Sequence, residues 1–511
     1  MRSLAPEFSV YQWAPPTDEV ARLAGIDISQ VLRFDQNTPP LPLPSARPGA
    51  VAAALARVSG YPAGGYRALR RAIADYNGVD PDNVVLGAGA DDLILLCARA
   101  YAGPGDTIAI PATPTYPLYR IAAQLAGATP VAGADDAVVT FACRPNNPTG
   151  GLDALPDARP LVVDEAYFEY CGETALGSIG DGVVVLRTFS KLFALAGARI
   201  GYALASRDVA RELDARQAPA PVSTLSATLA LAALADKPDA APVIEERERL
   251  AASLRALGLA PLESHTNFLY VPVDDGLELG DELLRRGMVV RAYPEAIRVS
   301  VRDAVDDDAL VETLARLLDR PSPVAAGGGR TARVLRATAE TRLAVRLALD
   351  GASRVRVATG AGLYDHFLEQ LAFHAGFDLD VEGAGDLETG DHHTAEDVAL
   401  AVGEALDRAL ADRRGIARYG DAVVPMDDAL ARAAVDLGGR AHAELRLELD
   451  PGMASHMLSS LAQASRASIH VEASGRDPHH VAEAAFKAVG RALRLAVRTE
   501  SGGLPSTKGL L

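Results

Sequence analysis

Cysteine and long apolar runs are both scarce in this 511-residue chain. Its three cysteines, Cys97, Cys143 and Cys171, form no C-x-x-C pair, which excludes a disulfide framework and a thiolate zinc site. No stretch approaches the roughly 18–20 uninterrupted apolar residues that span a bilayer, and the first residues lack the apolar segment of a signal peptide. The sequence therefore predicts a cytoplasmic protein from a reducing compartment.

Positive charge is in deficit, because 50 Lys and Arg residues face 67 Asp and Glu residues, for a formal net charge of −17 at pH 7. Nonspecific nucleic-acid binding draws on many cationic side chains that neutralise phosphates, so this composition argues against nucleic acid as a partner. A hydrophobic content of 49% with 23% charged residues is typical of globular proteins. Any anionic ligand is expected to be small and bound locally.

The histidines divide the chain into two regions. Of ten histidines, only His265 precedes His366. Between these positions, residues 321–330 read PSPVAAGGGR, and a glycine run without large apolar residues predicts a flexible linker. We therefore predict one functional part over residues 1–320 and a second, compact domain over residues 331–511.

The first part alternates short β-branched runs with longer helical patterns. The runs include NVVLGAG, DTIAIP, DAVVTFAC, PLVVDEAY and VVVLRTFSK. This alternation predicts an α/β fold, with a parallel-rich sheet in a large domain over about residues 45–235 and ligands at the carboxyl ends of its strands. A helix from Ala241 to Leu257 and the strands NFLYVPV and AIRVSV predict a smaller α+β lobe from residues 1–44 and 236–320.

The second part contains an internal repeat, in which residues 365–385 align with 455–475 and His366 meets His456. Each copy leads into an H-H-x-x-E motif, formed by His392, His393 and Glu396 or by His479, His480 and Glu483. On a helix, positions i and i+4 share a face while i+1 points about 100° away. The first histidine and the glutamate of each motif can thus bind one metal ion while the second histidine addresses another. The pattern predicts a paired metal centre in an α+β domain of two repeated halves.

Four motifs of the first part occur in a characteristic order: NNPTG at residues 146–150, DEAY at 164–167, SK ending at Lys191, and GARIGY containing Arg199. Each motif alone is a weak signal. Together they resemble the fold-type I pyridoxal-phosphate aminotransferases, and most closely the histidinol-phosphate aminotransferases, over roughly residues 30–310. The resemblance implies pyridoxal 5'-phosphate as cofactor.

The same resemblance implies roles for individual residues. Lys191 would bind the cofactor aldehyde and act as general base, and Asp164 would pair with the ring nitrogen and keep it protonated. Asn147 and Tyr167 would hydrogen-bond the ring oxygen. The residues implied to contact the phosphate or stack on the ring are Gly89, Ala90, Asp91, Tyr116, Ser190 and Arg199. Tyr61 matches a tyrosine that reaches the phosphate of a neighbouring subunit, which implies a homodimer.

Substrate contacts in the first part are implied at Asn37, Arg291 and Arg298, with the two arginines holding anionic groups of the substrates. Residues 1–320 alone leave other pyridoxal-phosphate activities open. These are a threonine-phosphate decarboxylase and a general aromatic aminotransferase.

The second part resembles imidazoleglycerol-phosphate dehydratase over essentially all of residues 331–511. The matching segments are GLYDHFLEQLAFHAGFDL, DHHTAED, GIARYG, PMDDAL, HHVAEAAFKAVGRALR and PSTKG. The implied metal ligands are His366, His392, His393, Glu396, His470, His479, His480 and Glu483. The implied substrate contacts are Gln370, His374, Arg418, Arg440, Lys487, Ser506, Thr507 and Lys508. Glu340 would be a catalytic acid–base, whereas His456 and His442 are interpreted as structural histidines.

The second resemblance also implies two divalent ions per site, of which manganese is the family's metal, and a large symmetric shell of subunits. Together the resemblances imply a bifunctional enzyme of histidine biosynthesis, because the dehydratase product, imidazole acetol phosphate, is the keto substrate of the aminotransferase. The alternative is that one half is noncatalytic, as a regulator or as a metal-organised scaffold. The chain lacks the basic arm expected of a regulator.

Overall fold

The structure is a computed structural model. It describes residues 8, 13–26, 28–38, 48–62, 64–236, 238–324, 330–338, 340–351, 353–385, 390–450 and 452–500. The chain divides into two compact units, Met1–Pro323 and Val324–Leu511, and the division falls inside the segment predicted to be a linker. None of the helices in the described ranges has the length and apolar character needed to cross a membrane.

The first unit contains eleven α-helices and twelve strands among its described residues. The helices are α1 (Thr17–Ala24), α2 (Pro48–Leu55), α3 (Arg67–Asn77), α4 (Ala90–Tyr101), α5 (Leu118–Ala126), α6 (Phe168–Cys171), α7 (Arg207–Asp214), α8 (Thr224–Asp236), α9 (Ala241–Ala256), α10 (Gly276–Leu284) and α11 (Ala304–Leu317). The strands are β1 (Leu32–Arg33), β2 (Val84–Gly87), β3 (Thr107–Ala109), β4 (Thr129–Val131), β5 (Val139–Cys143), β6 (Leu161–Asp164), β7 (Val183–Thr188), β8 (Gly201–Leu204), β9 (Phe268–Pro272), β10 (Met288–Val289), β11 (Arg291–Tyr293) and β12 (Ala296–Ser300).

A seven-stranded sheet forms the centre of the first unit, in the order β2-β8-β7-β6-β5-β3-β4. Its pairs are parallel except for those of β8, which runs antiparallel to both β2 and β7. Along β7, Val183 and Val185 face one hydrophobic core while Val184 and Leu186 face another. The strands are near-continuous apolar runs because helices cover both faces of the sheet.

The smaller lobe contains a three-stranded antiparallel sheet in the order β11-β12-β9. Strand β1 pairs with β10 in a separate parallel ladder, which joins Leu32 to Met288 and brings the N-terminal segment into this lobe. Helix α9 and the strands β9 and β12 occupy the segments that the sequence predicted.

The second unit contains four helices and eight strands among its described residues. They are β13 (Thr331–Ala337), β14 (Thr341–Ala348), β15 (Val355–Ala358), α12 (Gly362–Ala375), β16 (Asp378–Gly385), α13 (His392–Leu410), β17 (Tyr419–Met426), β18 (Ala429–Asp436), β19 (His442–Leu447), α14 (Met453–Ala464), β20 (Ser468–Ser474) and α15 (Pro478–Ala496).

The internal repeat is visible in the topology of this unit. Its two four-stranded sheets have the orders β13-β14-β16-β15 and β17-β18-β20-β19, and each combines two antiparallel pairs with one parallel pair. The helices pair across the repeat, with α12 against α15 and α13 against α14. One hydrophobic core therefore contains residues from both halves.

Candidate active sites

The first site is built where β6 and β7 end side by side. Asp164 is the last residue of β6, and Lys191 follows the end of β7. The Asp164 carboxylate is buried, accepts a hydrogen bond from Tyr119 Oη at 2.7 Å through Oδ2, and accepts one from Ala166 N at 3.1 Å through Oδ1. Burial raises the pKa of Asp164 to about 6, although both hydrogen bonds act in the opposite direction.

Lys191 presents an amine that is easy to deprotonate. Desolvation, followed by the nearby Arg298 guanidinium, lowers the pKa of its amine to about 8. Its Nζ lies 5.4 Å from the centre of the Tyr167 ring and 3.5 Å from the carbonyl oxygen of Gln36. A neutral amine near a buried carboxylate suits a nucleophile that binds an aldehyde.

A glycine turn leads from β2 into α4 and forms an anion site. Gly89 has a φ of 89° and caps the helix, so the backbone N–H groups at Ala90 and Asp91 lie at its N-terminus. A Cβ on Gly89 would lie 2.7 Å from Arg199 Nη2, so the guanidinium packs directly against this turn. Arg199 lies 3.0 Å from the Asp91 carboxylate, which also accepts a hydrogen bond from Tyr116 Oη at 3.0 Å. Ser190 is buried and accepts from Thr188.

Polar side chains around Tyr167 link the two lobes. Asn37 is buried, donates to Tyr167 Oη at 3.0 Å, and accepts from Ser300 Oγ at 2.8 Å. These hydrogen bonds hold the Asn37 side chain beside Tyr167, and the substrate contact predicted from sequence stays a prediction. Asn147 Oδ1 accepts from Arg298 at 2.6 Å.

The two predicted substrate arginines are brought together by strand register. Arg291 on β11 lies directly opposite Arg298 on β12, and such cross-strand neighbours share one face of a sheet. Arg298 Nε is buried without a hydrogen bond among the described residues, which is consistent with an arginine that binds an anionic group. The Tyr61 side chain is 93% exposed in the single chain. Its contact with a partner subunit stays a prediction.

Among its described residues, the second unit contains two groups of metal-ligand type, each made of two histidines and one glutamate. In one group, Glu483 carboxylate oxygens lie 3.8 Å from His366 Nε2 and 3.4 Å from His479 Nε2. In the other, Glu396 Oε2 lies 3.7 Å from His392 Nε2 and 3.3 Å from His456 Nε2. The imidazole rings of each group are stacked, with centroids 5.9 Å and 5.0 Å apart.

These distances fit metal binding. Ligand atoms bonded to one ion at about 2.1 Å lie about 3.0–3.4 Å apart in octahedral or tetrahedral geometry. The glutamate–histidine distances fall within this range or slightly above it, and all ligand atoms of a group lie within 4.8 Å of one another. His456 Nε2 is buried and makes no hydrogen bond among the described residues. An unsatisfied buried imidazole nitrogen is costly unless a ligand occupies it.

The second histidine of each motif points away from its own group. His393 Nδ1 lies 3.7 Å from Glu340 Oε2, and His480 Nδ1 lies 2.6 Å from Asp428 Oδ1. The hydrogen bond to His480 lowers the pKa of Asp428 to about 2 and raises the pKa of His480. A carboxylate on one ring nitrogen orients the other nitrogen for a metal.

The structure places two histidines differently from the sequence-based interpretation. His456, interpreted from sequence as structural, belongs to the group with His392 and Glu396. His470, predicted to be a ligand, lies on β20 with its ring centre 5.4 Å from that of His442, outside both groups. The internal alignment of His456 with His366 carried the missing signal, because residues equivalent by duplication have equivalent positions in the two groups.

The residues predicted to contact substrate in the second unit lie on a helix face, in ion pairs, at an exposed position and in the terminal segment. Gln370 and His374 follow His366 at four-residue intervals on α12, which places them on one helix face. Lys487 Nζ lies 2.7 Å from Glu483, and Arg418 Nε lies 2.7 Å from Asp436. Arg440 is exposed after β18. The predicted contacts in the terminal PSTKG segment lie outside the described residues; they are Ser506, Thr507 and Lys508.

Comparison with known families gives one match in each unit. The aminotransferase class I and II family matches residues 29–317, and the imidazoleglycerol-phosphate dehydratase family matches residues 359–493. The chain belongs to both families. These matches confirm both resemblances and the α/β fold class predicted for the aminotransferase unit.

Individual relatives agree with this assignment. The imidazoleglycerol-phosphate dehydratase of Methanothermobacter thermautotrophicus is 50% identical over 184 residues, covering 34% of this chain and 95% of that protein. That of Phytophthora nicotianae is 48% identical over 194 residues, covering 36% of this chain and 43% of that protein, so the match spans less than half of that longer relative. The aminotransferase unit is similar to the histidinol-phosphate aminotransferase of Sinorhizobium meliloti, whose structure was solved in complex with pyridoxal-5'-phosphate. The two structures have a TM-score of 0.54 and 26% sequence identity, and the match covers 60% of this chain and 95% of that one.

Proposed function

We propose that the chain is a bifunctional enzyme of histidine biosynthesis. Its dehydratase unit converts imidazoleglycerol phosphate to imidazole acetol phosphate, and its aminotransferase unit then transfers an amino group from glutamate to that ketone, giving L-histidinol phosphate. The observation that carries the proposal is the presence in one chain of two families whose product and substrate coincide. The geometry of both candidate sites supports catalysis in each unit.

In the aminotransferase unit, bound pyridoxal phosphate supplies the electron sink for transamination. Lys191 Nζ would hold the cofactor through its aldehyde carbon and, once released from that carbon, would move the proton at the substrate Cα, since its lowered pKa makes the neutral amine accessible near neutral pH. Asp164 holds the proton at the ring nitrogen. The N–H groups at the start of α4 and the Arg199 guanidinium bind the phosphate, while Arg298 orients a substrate anion.

In the dehydratase unit, two divalent ions, when bound, would supply Lewis acidity to the imidazole ring of the substrate. Glu340, in the hairpin between β13 and β14, moves the proton between the carbon next to the ring and the departing hydroxyl group. Lys487, Arg418 and Arg440 bind the substrate phosphate, and the terminal segment adds further contacts. Mixed imidazole and carboxylate ligands suit manganese, iron or zinc, and we propose manganese.

The metal ligands that we propose are the two histidine–glutamate groups together with His393 and His480. Because these two histidines point away from the groups on their own helices, we propose that neighbouring copies of the chain complete each site. A homo-oligomer also accounts for the exposure of Tyr61, which would reach a partner's phosphate site. The three free cysteines are compatible with a cytoplasmic location.

A coupled assay with two matched variants tests the proposal. The full-length chain with Mn²⁺ and pyridoxal phosphate should convert imidazoleglycerol phosphate and glutamate to L-histidinol phosphate and 2-oxoglutarate. Lys191→Ala should stop at imidazole acetol phosphate, whereas Glu483→Gln should be inactive on imidazoleglycerol phosphate yet still transaminate supplied imidazole acetol phosphate. Each variant is the control for the other.

Two results would contradict the proposal. Release of CO₂ from a phospho-amino acid, without glutamate-dependent transamination, would favour the decarboxylase alternative for the first unit. Normal dehydration by Glu483→Gln would show that the histidine–glutamate groups do not perform the reaction.

A further inference from the structure

Tyr119 lies against the aminotransferase site in a position that no motif of the sequence assigns. It is the second residue of α5 and is 1% exposed, and its Oη lies 2.7 Å from Asp164 Oδ2. Its ring stacks on Phe141 with centroids 5.7 Å apart and meets Tyr116 edge to face at 5.8 Å. The ring is therefore fixed by packing, and the hydroxyl is held against the carboxylate.

The hydrogen bond runs from the tyrosine to the carboxylate. Burial, and then the neighbouring Asp164 charge, raises the pKa of Tyr119 well above its ordinary value, so the hydroxyl keeps its proton. An ionised carboxylate can only accept hydrogen bonds. Tyr119 consequently donates to Oδ2 and stabilises the ionised form of Asp164.

Other groups around Asp164 also affect whether its carboxyl group is protonated. Burial and the Asp91 carboxylate favour protonation of Asp164, whereas the Ala166 N–H and the Lys191 amine favour ionisation. The Cys143 thiol is also adjacent and keeps its proton, because burial raises its pKa to about 12. Tyr119 therefore supplies a side-chain hydrogen bond that helps to keep Asp164 ionised near neutral pH.

We propose that Tyr119 is a positioning residue that keeps Asp164 ionised, so that a proton shared with the cofactor's ring nitrogen stays on that nitrogen. The inference rests on the proposed pyridoxal-phosphate function of this unit. It predicts that loss of the Tyr119 hydroxyl acts only through the ring nitrogen, and only at pH values where Asp164 becomes protonated.

Two ligands separate this effect from a general structural defect. Pyridoxine 5'-phosphate carries an alcohol in place of the aldehyde, so it cannot bond to Lys191 and its affinity reports the other contacts. Its 1-deaza analogue has the same shape but lacks the ring nitrogen. Dissociation constants for both are measured with the full-length chain between pH 6 and pH 9, for the wild type and for Tyr119→Phe.

The expected effect follows from the ionised fraction of Asp164. Loss of a charge-assisted hydrogen bond raises the pKa of a carboxyl group by about one to two, so Asp164, whose pKa is about 6 in the wild type, should be protonated to a larger fraction at pH 7 in the variant. The phenylalanine variant should then bind pyridoxine 5'-phosphate about two- to tenfold more weakly at pH 7. The difference should nearly vanish at pH 9, and the deaza analogue should bind both proteins equally at every pH.

Tyr202→Phe is a matched control. Tyr202 is buried to the same degree, lies on β8 in the core on the other face of the sheet, and its hydroxyl accepts from Asn77 Nδ2 at 3.3 Å. It should change the affinity for neither ligand. A second measurement uses saturating pyridoxal phosphate: Tyr119→Phe should lower kcat several-fold while the KM for glutamate stays the same.

Three outcomes would overturn the inference. Equal weakening of both ligands by Tyr119→Phe would show a structural role only, and unchanged affinity at pH 6–7 would show that the hydroxyl does not control Asp164. A wild-type chain that binds neither ligand would refute the proposed function and this inference together. Wild-type binding with an unaffected variant would refute this inference alone.

Discussion

Replacing His456 by asparagine is expected to remove one of two metal ions from each chain. His456 Nε2 lies 3.3 Å from Glu396 Oε2, and His392 is the third member of this group. Loss of even an outer hydrogen-bond partner of a metal ligand weakens metal binding about 10–100-fold, and loss of one of three direct donors should exceed this range. We expect the affinity of this site to fall at least about 100-fold, or about 2.7 kcal/mol.

The assay is metal analysis of the full-length protein after saturation with Mn²⁺ and dialysis against metal-free buffer. The wild type should retain two ions per chain, and His456→Asn should retain one and lose dehydration of imidazoleglycerol phosphate. His470→Asn is the matched control, because His470 lies beside His442 on the sheet and outside both groups. It should retain both ions.

The reverse result would refute the reasoning. If His470→Asn lost an ion while His456→Asn kept two, the ligand set implied by the sequence resemblance would be right, and the proximity of His456 to Glu396 would be an ion pair without a metal role. Transamination of imidazole acetol phosphate by both variants provides the control for intact protein, since it uses the other unit.

Three further perturbations test other parts of the chain. Burial lowers the pKa of the Lys191 amine to about 8. The rate at which the cofactor-free chain binds pyridoxal phosphate should therefore rise about tenfold from pH 7 to pH 9, because the neutral amine accumulates over this range. A rate that still rises steeply above pH 10 would contradict this expectation. A Cβ on Gly201 would lie 2.9 Å from Ala90 N, in the turn between β2 and α4. Gly201→Ala should therefore weaken pyridoxal phosphate binding at least about tenfold in a fluorescence titration. An affinity equal to that of the wild type would show that this turn can shift freely. Asp397 accepts hydrogen bonds from Thr338 and Thr341, which lie on either side of Glu340. Asp397→Asn should therefore lower the dehydration kcat about tenfold or more while two metal ions stay bound. Loss of a metal ion would instead show that Asp397 supports the metal ligands.

Periodicity and motif order predicted much of the fold. The apolar runs that became β6 and β7 are buried on both faces, as expected of strands covered by helices, and the DEAY and SK motifs follow them at the carboxyl ends. The side-by-side position of Asp164 and Lys191 follows from the parallel pairing of these strands. Here local sequence was sufficient because strand ends and motifs coincide.

Polar contacts between distant segments could not be predicted in the same way. Arg187 and Glu165 form a buried ion pair at 2.9 Å, with both side chains 2% exposed, behind the strand ends that carry the site. The sequence shows only two charged residues inside motifs, and neither burial nor pairing is encoded in their spacing. Tyr119 was missed for the same reason, because its partner Asp164 lies 45 positions away in the chain.

The metal groups show how a repeat can mislead when it is interpreted one copy at a time. Helix α12 packs against α15, and α13 packs against α14, so each group combines a histidine from one repeat with the H-x-x-x-E pair of the other. His456 therefore stands to His392 and Glu396 as His366 stands to His479 and Glu483. A single repeat contributes ligands to both groups and completes neither, which makes folding of the whole unit a condition for metal binding.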